Sequence, residues 1–252
     1  MYNKNINLIK FSFRILYLLL FIFLIKISFN WSKFNNSLKI KSLQFSKTTI
    51  LDNKIYNSLL DSLIEKNNSY LDISKINQII EKHPYVKAAR VSNHYPGKIK
   101  IEIIEREPIA IIKINPIIMI DEDGFILPDL DNSKNYNLPY LTNFNSEDKF
   151  YPIGEKTTSI AVNECIKCLS NIKNNYNYIY DNLSELKITS TNEIELILFD
   201  HPTYIFLGQN EIESRLQILK YFKHNLKPKK ISDYNYVDLR FKNQIIVKER
   251  HS

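Results

Sequence analysis

The sequence contains very little glycine, with four residues among 252, at Gly97, Gly124, Gly154 and Gly208. Average usage of about 7% would give roughly 18. The four glycines stand far apart, so neither a GxGxxG nor a GxxxxGK loop exists. The sequence therefore argues against nucleotide-binding folds that depend on such a phosphate-cradling loop.

Acidic residues are absent from the first 51 positions, which carry eight cations. Removing these eight from the total of 34 leaves 26 cations against 27 acids in the rest of the chain. The formal net charge of +7 is thus concentrated around an apolar segment and not on the folded part, where a nucleic-acid surface would need it. This distribution favours contact with lipid and predicts no nucleic-acid partner.

The apolar segment runs from Phe11 to Trp31, with an uncharged core at Ile15–Ile25. A cleaved signal peptide would need small residues before the cut, but the first alanine is Ala88. A buried core helix would not normally carry basic residues at both ends. The pattern predicts a signal-anchor, with residues 1–14 as a short cytoplasmic tail and 15–33 as the transmembrane helix. The charge bias is weak, but long domains translocate largely regardless of charge, so we expect the carboxyl-terminal part outside.

Only two cysteines occur, Cys165 and Cys168, in a CxxC spacing. Periodicity predicts a helix over residues 157–176, with both thiols on its apolar stripe. This indicates a buried pair, although a redox pair or a local disulfide stays open. A zinc site lacks a second pair of ligands, because the histidines show no ligand-like spacing. We predict no metal site.

No catalytic motif is present, whether nucleophile elbow, HExxH or Ser/Lys. The paired acids Glu105 with Glu107 and Asp121 with Asp123 fall on alternating strand positions or in turns, where a solvated face explains them. The sequence predicts no enzyme, no cofactor and no small-molecule substrate.

The region after the anchor predicts a small β-α-α-β-β domain. Alternation at residues 37–45 indicates a strand, Asp52 caps one helix, and Asp72 or Ser74 caps a second helix that stops before Pro84. Two further strands follow, joined by a turn at residues 95–98 in which Pro and Gly suit type II geometry. One three-stranded sheet covered by two helices is a complete small domain.

These residues resemble the POTRA domain of the FtsQ/DivIB cell-division family. The resemblance rests on residues 83–91, Tyr95-Pro96, residues 99–101 and residues 105–110. It continues through a hairpin at residues 118–127, Leu138-Pro139-Tyr140-Leu141, Arg215-Leu216, the terminal Tyr236-Val237-Asp238-Leu239-Arg240-Phe241, and a last strand from Gln244 to Lys248. One departure is Ser46-Lys47-Thr48, where the family usually has a glycine after the first POTRA strand.

The resemblance implies an α+β fold with a single transmembrane helix, a POTRA domain at 37–107 and a larger, mostly antiparallel β domain with two helices at 108–249. It implies a non-enzymatic bitopic scaffold of the divisome, in the inner membrane and enriched at the septum. Such a scaffold binds FtsB- and FtsL-type partners and helps to recruit and regulate septal peptidoglycan synthesis. The alternative is a POTRA-containing export or outer-membrane assembly factor, for which we would expect tandem POTRA repeats or a β-barrel.

Matching the terminal motif places partner binding on a carboxyl-terminal edge strand, since an unpaired edge can accept a partner strand. The residues so implied are Arg240, Phe241, Asn243, Gln244 and Ile245. The competing interpretation is a plain last strand, blunted by Lys242 and Lys248. We further expect Arg215 to pair with an acid beneath the sheet, and Asp238 to pair with Arg240.

Overall fold

A computed structural model describes residues 2–34, 42–66, 72–94, 97–130, 137–199 and 201–250. It begins with helix α1, Tyr2–Phe34. Within α1 the stretch Phe13–Trp31 is long and apolar enough to cross a membrane, and none of it is buried. Apolar side chains on all sides of one helix are typical of a helix that lipid surrounds.

The first unit after α1 is a three-stranded sheet with two helices. Its elements follow the predicted β-α-α-β-β order: β1 Ser42–Phe45, α2 Asn53–Lys66, α3 Ile73–Glu81, β2 Val86–His94 and β3 Lys98–Glu105. The strands lie in the order β1-β3-β2, and β1 runs parallel to β3 with Leu43 beside Ile99. Alternation in β3 buries Ile99, Ile101 and Ile103, as a sheet covered on one face requires.

Side-chain caps begin both helices of this unit. The Asp52 carboxylate accepts the N–H of Lys54 at 2.9 Å, and Asp72 accepts that of Ser74 at 2.9 Å, so Asp72 is the cap of α3. Residues 37–41 of the first predicted strand and residues 95–96 of the predicted turn lie outside the described residues. Gly97 has a φ of 69°, as the turn requires.

Ser46 occupies the corner where the family's glycine is missing. Its Oγ accepts the N–H of Ile103 at 3.0 Å, and its own N–H donates to the Ile101 carbonyl at 2.8 Å. The Asn53 side chain donates to the Ser46 carbonyl at 3.2 Å. This corner is therefore held by side-chain hydrogen bonds.

The second unit is built on a nine-stranded sheet. Its strands are β4 Pro108–Ile112, β5 Ile118–Asp121, β6 Ile126–Pro128, β7 Tyr140–Thr142, β8 Leu183–Ile188, β9 Ile194–Leu198, β10 Thr203–Gly208, β11 Tyr234–Asp238 and β12 Ile246–Glu249. They lie in the order β12-β11-β10-β9-β8-β7-β4-β5-β6. Most neighbours are antiparallel, but β10–β11, β7–β8 and β4–β7 are parallel. The described residues between 105 and 250 belong to this unit, together with residues 82–87, which include the first two residues of β2.

Among the described residues, three α-helices accompany this sheet, one more than the two we expected. They are α4 Ile160–Asn175, α5 Asn177–Asp181 and α6 Ile212–Asn225. Sequence periodicity missed α5, because five residues are too few to show a helical repeat. Buried side chains of α4 and α6 share one apolar core with the strands, including Leu169, Leu216 and Leu219. Ser159 caps α4 by accepting the N–H of Val162.

Cys165 and Cys168 are buried on the core side of α4 as free thiols, as the apolar stripe predicted. Burial raises the pKa of both, that of Cys168 to about 12. A buried, protonated thiol is a poor nucleophile. The cysteines therefore act as small apolar core residues.

The predicted Asp121-to-Gly124 turn is closed by local hydrogen bonds. Asp121 Oδ1 accepts the N–H groups of Asp123 at 3.0 Å and Phe125 at 2.7 Å, and Gly124 takes a φ of 86°. The Arg106 guanidinium donates to Asp121 Oδ2 at 2.8 Å and stacks on the Phe125 ring. This buried pair fixes the turn to the start of the unit's first strand.

Candidate functional site at the carboxyl-terminal sheet edge

Strand β12 forms one end of the nine-stranded sheet and pairs with β11 alone. The pairing is antiparallel, with Val247 beside Val237 and Ile246 beside Asp238. Val247 packs against the core, whereas Ile246 and Lys248 are exposed. An end strand of this kind presents one row of backbone N–H and C=O groups that its own sheet does not use.

Two hydrogen bonds identify which backbone groups of β12 face outward. Leu239 donates its N–H to the Phe206 carbonyl of β10 at 3.1 Å, so the neighbouring Asp238 turns its backbone groups toward β12. Arg250 donates its N–H to the Asp233 carbonyl at 2.9 Å. Because backbone groups alternate along a strand, those of Lys248 and Ile246 also point toward β11. The backbone groups of Val247 and Glu249 therefore point away from β11, where the described part of the chain places no strand.

The five residues implied as the binding strand do not lie on it. Arg240, Phe241, Asn243, Gln244 and Ile245 all fall in the connection between β11 and β12. The expected strand from Gln244 begins two residues later because Asn243 adopts a left-handed conformation, with a φ of 61°, which interrupts the extended backbone. Ile245 is half-buried against the core, and the other four are exposed.

Arg240 and Asp238 form the pair that the sequence predicted. The Arg240 side chain donates to the Asp238 carboxylate from Nε at 2.9 Å and from Nη2 at 2.7 Å, and its Nη1 reaches Glu193 at 2.9 Å. Burial acts to raise the pKa of Asp238, but hydrogen bonding and charge from Arg240 outweigh burial, so this pKa lies below its ordinary value. Hydrogen bonding to Asp238 raises the pKa of Arg240. The Arg240 side chain is thus already hydrogen-bonded to two acids of its own chain.

Arg215 of α6 forms no ion pair with an acid within the described residues, contrary to our expectation, although its charge contributes to lowering the pKa of Asp238. Its guanidinium donates to the carbonyls of Leu207 and Arg240, the latter at 3.4 Å. Gly208 makes room for this contact, since a Cβ there would collide with Arg215 Nη1. Arg215 therefore ties the end of β10 to the connection that precedes β12.

The face of the sheet that the helices leave open carries an aromatic cluster that sequence reasoning missed. Tyr204 and Phe206 of β10 stack with ring centroids 6.5 Å apart, and Tyr236 of β11 lies 5.9 Å from Phe206. Tyr204 is 41% exposed, and Ile246 of β12 is 37% exposed. The alternation in β10 could have revealed this cluster. Its inward positions Ile205 and Leu207 already supply the core, yet its outward positions are aromatic and not polar.

Among the described residues, no group of three or more His, Cys, Asp or Glu side chains is placed to hold a metal ion. The edge at β12 differs from such a site. It combines free backbone donors and acceptors with apolar side chains on the adjoining face, the two components of binding by strand addition.

Comparison with known families covers both units. A family model described as "FtsQ/DivIB, C-terminal related" matches residues 107–248, and one described as "POTRA domain, FtsQ-type" matches residues 38–106. The chain belongs to the FtsQ/DivIB family.

Individual FtsQ and DivIB proteins show the same relationship. The chain is 22% identical to the cell division protein FtsQ of Syntrophotalea carbinolica, over 83% of this chain and 73% of that protein. It is 25% identical to FtsQ of Geotalea daltonii, over 71% of this chain and 64% of that protein. The cell division protein DivIB of Clostridium tetani is 30% identical, over 55% of this chain and 50% of that protein.

Membership of the FtsQ/DivIB family makes this a cell-division protein with a POTRA domain and an α+β fold. The amino-terminal apolar helix α1 fits a single-pass membrane protein of that family. The match to the FtsQ/DivIB carboxyl-terminal region also speaks against the alternative of an export or outer-membrane assembly factor, whose likeness would stop at the POTRA domain.

Proposed function

We propose that this FtsQ/DivIB protein is a non-enzymatic bitopic scaffold of the divisome, which binds FtsB- and FtsL-type proteins and so recruits and regulates septal peptidoglycan synthesis. In this proposal residues 1–14 are a cytoplasmic tail and residues 15–33 cross the inner membrane. Residues 37–107, as the POTRA domain, and 108–249, as the β domain, lie on the outer side at the division septum. Family membership and helix α1 support this arrangement.

The observation that carries the proposal is the outward row of backbone groups on β12. A partner segment in extended conformation can pair with Val247 and Glu249 and become a tenth strand. Main-chain hydrogen bonds supply affinity in this mode, and alternate side chains supply specificity. The exposed side chains of Ile246 and Lys248 stand beside the added strand.

The aromatic cluster extends the same surface across the open face of the sheet. Tyr236 lies on β11, next to β12, and Tyr204 and Phe206 lie one strand further in on β10, so a partner that adds a strand can also cover these rings. Aromatic side chains are enriched in the energetically dominant part of protein interfaces. We therefore place the contact on the edge and on this face, with Phe241 in the connection at its border.

Proline substitution tests the edge directly, because proline removes one N–H and is tolerated on an edge strand where that N–H faces outward. Val247→Pro should abolish co-purification of FtsB- and FtsL-type partners from detergent. Val247→Ala is the matched control, since it shortens the side chain but keeps the N–H, and it should retain them.

Circular dichroism must show that both Val247 variants are folded. Should Val247→Pro unfold, Glu249→Pro removes the second outward N–H at a position where the side chain is 56% exposed and pairs with Lys229 at the surface. Retention of the partners by a folded proline variant would refute strand addition at β12. Failure of the wild-type chain to capture either partner would refute the scaffold proposal itself.

A further inference from the structure

A groove runs between the carboxyl-terminal end of α4 and helix α6, away from the residues of the β12 site. Its volume is about 860 Å³. One wall carries the amides Asn171 and Asn175, and α6 supplies the other wall. The residues that line it are Asn171, Asn175, Tyr176, Glu213, Gln217, Lys220, Tyr221, Lys223, His224 and Lys227.

The α6 wall is strongly cationic at one end. Lys220 and Lys223 of α6 and Lys227 just beyond it line the groove against a single acid, Glu213. Lys220 and Lys223 are three positions apart, about one helical turn, and so lie on one face of α6, and Lys227 continues this row just after the helix ends at Asn225. The chain after residue 51 is nearly balanced in charge, so this row is a local concentration.

The lysine side chains are not neutralised within the described residues, where Lys220, Lys223 and Lys227 form no ion pair. Two of them lie instead on aromatic rings: Lys223 Nζ is 3.0 Å from the Tyr178 ring centroid, and Lys220 Nζ is 5.6 Å from that of Tyr176. Desolvation lowers the pKa of Lys223. A cation in the last turn compensates the helix dipole, which accounts for Lys223 but not for Lys220.

A smaller apolar pocket of about 170 Å³ opens beside this row. Its apolar floor consists of Ile179, Leu219 and Ile231, and Tyr176 and Tyr178 form its sides. Lys220 and Lys223 line both the pocket and the groove. An apolar pocket rimmed by charge is the usual form of an anchor site for one side chain of a protein partner.

We propose that this groove is a second docking site, which binds an acidic amphipathic helix of a protein partner. One apolar side chain of that helix enters the pocket above Leu219, and carboxylates one turn apart face Lys220, Lys223 and Lys227. Helix-in-groove recognition uses anchors with this spacing. The cationic row supplies the charge complementarity that selects an acidic partner.

Other anionic ligands fit the groove less well. An anionic membrane needs an open basic surface, whereas this one is concave. A phosphate polymer favours the bidentate fork of arginine, and the groove contains lysine and histidine but no arginine. A polysaccharide or a nucleic acid has no aliphatic side chain for the pocket.

Designed peptides test the proposal on the full chain in detergent micelles. Fluorescent helical peptides of about 16 residues carry one leucine and, on the same face, three positions that are all Glu, all Gln or all Lys. Fluorescence anisotropy should show the Glu peptide binding about tenfold more tightly than the Gln peptide. The double variant Lys220→Glu with Lys223→Glu should lose this preference and favour the Lys peptide.

Lys167→Glu is the matched control, because Lys167 is an exposed lysine of α4 that does not line the groove. It should bind like the wild type. Should the double charge reversal unfold, Lys220→Gln with Lys223→Gln removes the charge more mildly and should weaken the Glu peptide about fivefold.

Equal binding of the Glu and Gln peptides would overturn the proposal. So would displacement of the Glu peptide by a carboxylated glycan, single-stranded DNA or anionic vesicles at lower concentrations than unlabelled peptide requires. Capture of FtsB- and FtsL-type partners should be unchanged in the double variant. Loss of that capture would make the groove part of the β12 interface and not a second site. Intact capture without peptide binding would refute the groove proposal and leave the scaffold proposal standing.

Discussion

Arg240 folds back onto Asp238, two residues earlier, and its Nε and Nη2 atoms donate to the carboxylate at 2.9 and 2.7 Å. The Arg240 backbone N–H donates to the same carboxylate at 3.0 Å. The chain therefore bends immediately after β11, and the connection to β12 starts from a fixed point. The position of the edge strand depends on this local clamp.

Substitution of Asp238 by asparagine should make stability less dependent on pH. The pKa of Asp238 is lowered in the folded protein, so its carboxylate stabilises the fold above its unfolded pKa of about 3.9, and this contribution disappears as pH falls through the folded pKa. We expect Asp238→Asn to lower the free energy of unfolding by about 1 to 3 kcal/mol at pH 7. The difference from wild type should shrink below about pH 4.

Denaturant titration followed by circular dichroism at several pH values measures this difference. Glu193→Gln is the control, because Glu193 contacts Arg240 from a more exposed position and should cost less than about 1 kcal/mol. A loss for Asp238→Asn that stays constant from pH 7 to pH 3 would show that the charge of the carboxylate is not the cause.

Local sequence patterns predicted most of the fold. Alternation at Ile99, Ile101 and Ile103, the cap at Asp72 and the apolar stripe through Cys165 each depend on neighbours along the chain. Such features can be inferred because strand and helix periodicities are properties of short segments.

The features that were missed depend on contacts between distant segments or on one backbone angle. Arg215 binds carbonyl groups, which every residue has, so no acid in the sequence could reveal its partners. The late start of β12 follows from the left-handed conformation of Asn243. The exposure of Tyr204 and Phe206 depends on which face of the sheet the helices cover.

Substitution of Gly208 by alanine should destabilise the second unit more than the same change at Gly154. Both glycines have φ near 80°, namely 75° and 80°, so each alanine adds backbone strain of about 1 kcal/mol. At Gly208 the new Cβ would also collide with Arg215 Nη1, whereas at Gly154 its nearest neighbour is Pro84 at 3.6 Å. Gly208→Ala must therefore displace Arg215 from its carbonyl partners.

We expect Gly208→Ala to cost about 1 to 3 kcal/mol more than Gly154→Ala in denaturant titrations. Introducing Arg215→Ala into both glycine-to-alanine variants separates backbone strain from the displacement of Arg215. It should lower the free energy of unfolding little further once Gly208→Ala has already displaced the arginine. Additive effects of Gly208→Ala and Arg215→Ala would contradict this explanation.

The two native thiols should resist labelling while the chain is folded. Cys165 and Cys168 are buried, and burial raises the pKa of Cys168 to about 12, so little thiolate exists at pH 8 and little of it is accessible. A thiol-specific reagent should react at least about 100-fold more slowly than with the same chain in denaturant. Lys167→Cys, on the same helix but exposed, provides the positive control. Rapid modification of the wild-type thiols without denaturant would argue against the buried arrangement.

Substitution of Phe241 by glutamate should weaken partner binding without loss of stability. Phe241 is 51% exposed in the connection that precedes β12, so its ring is free to contact a partner, and an exposed site of this kind changes unfolding free energy by only about 0.5 kcal/mol. A carboxylate in its place would have to be desolvated in the complex, which costs binding energy. Co-purification with FtsB- and FtsL-type proteins, alongside circular dichroism, measures both effects. Phe199→Glu is the matched control, because Phe199 is 61% exposed in the turn after β9, a strand that does not pair with β12, and it should leave capture intact. Partner capture by a folded Phe241→Glu protein would move the contact away from the connection and confine it to the edge and face of the sheet.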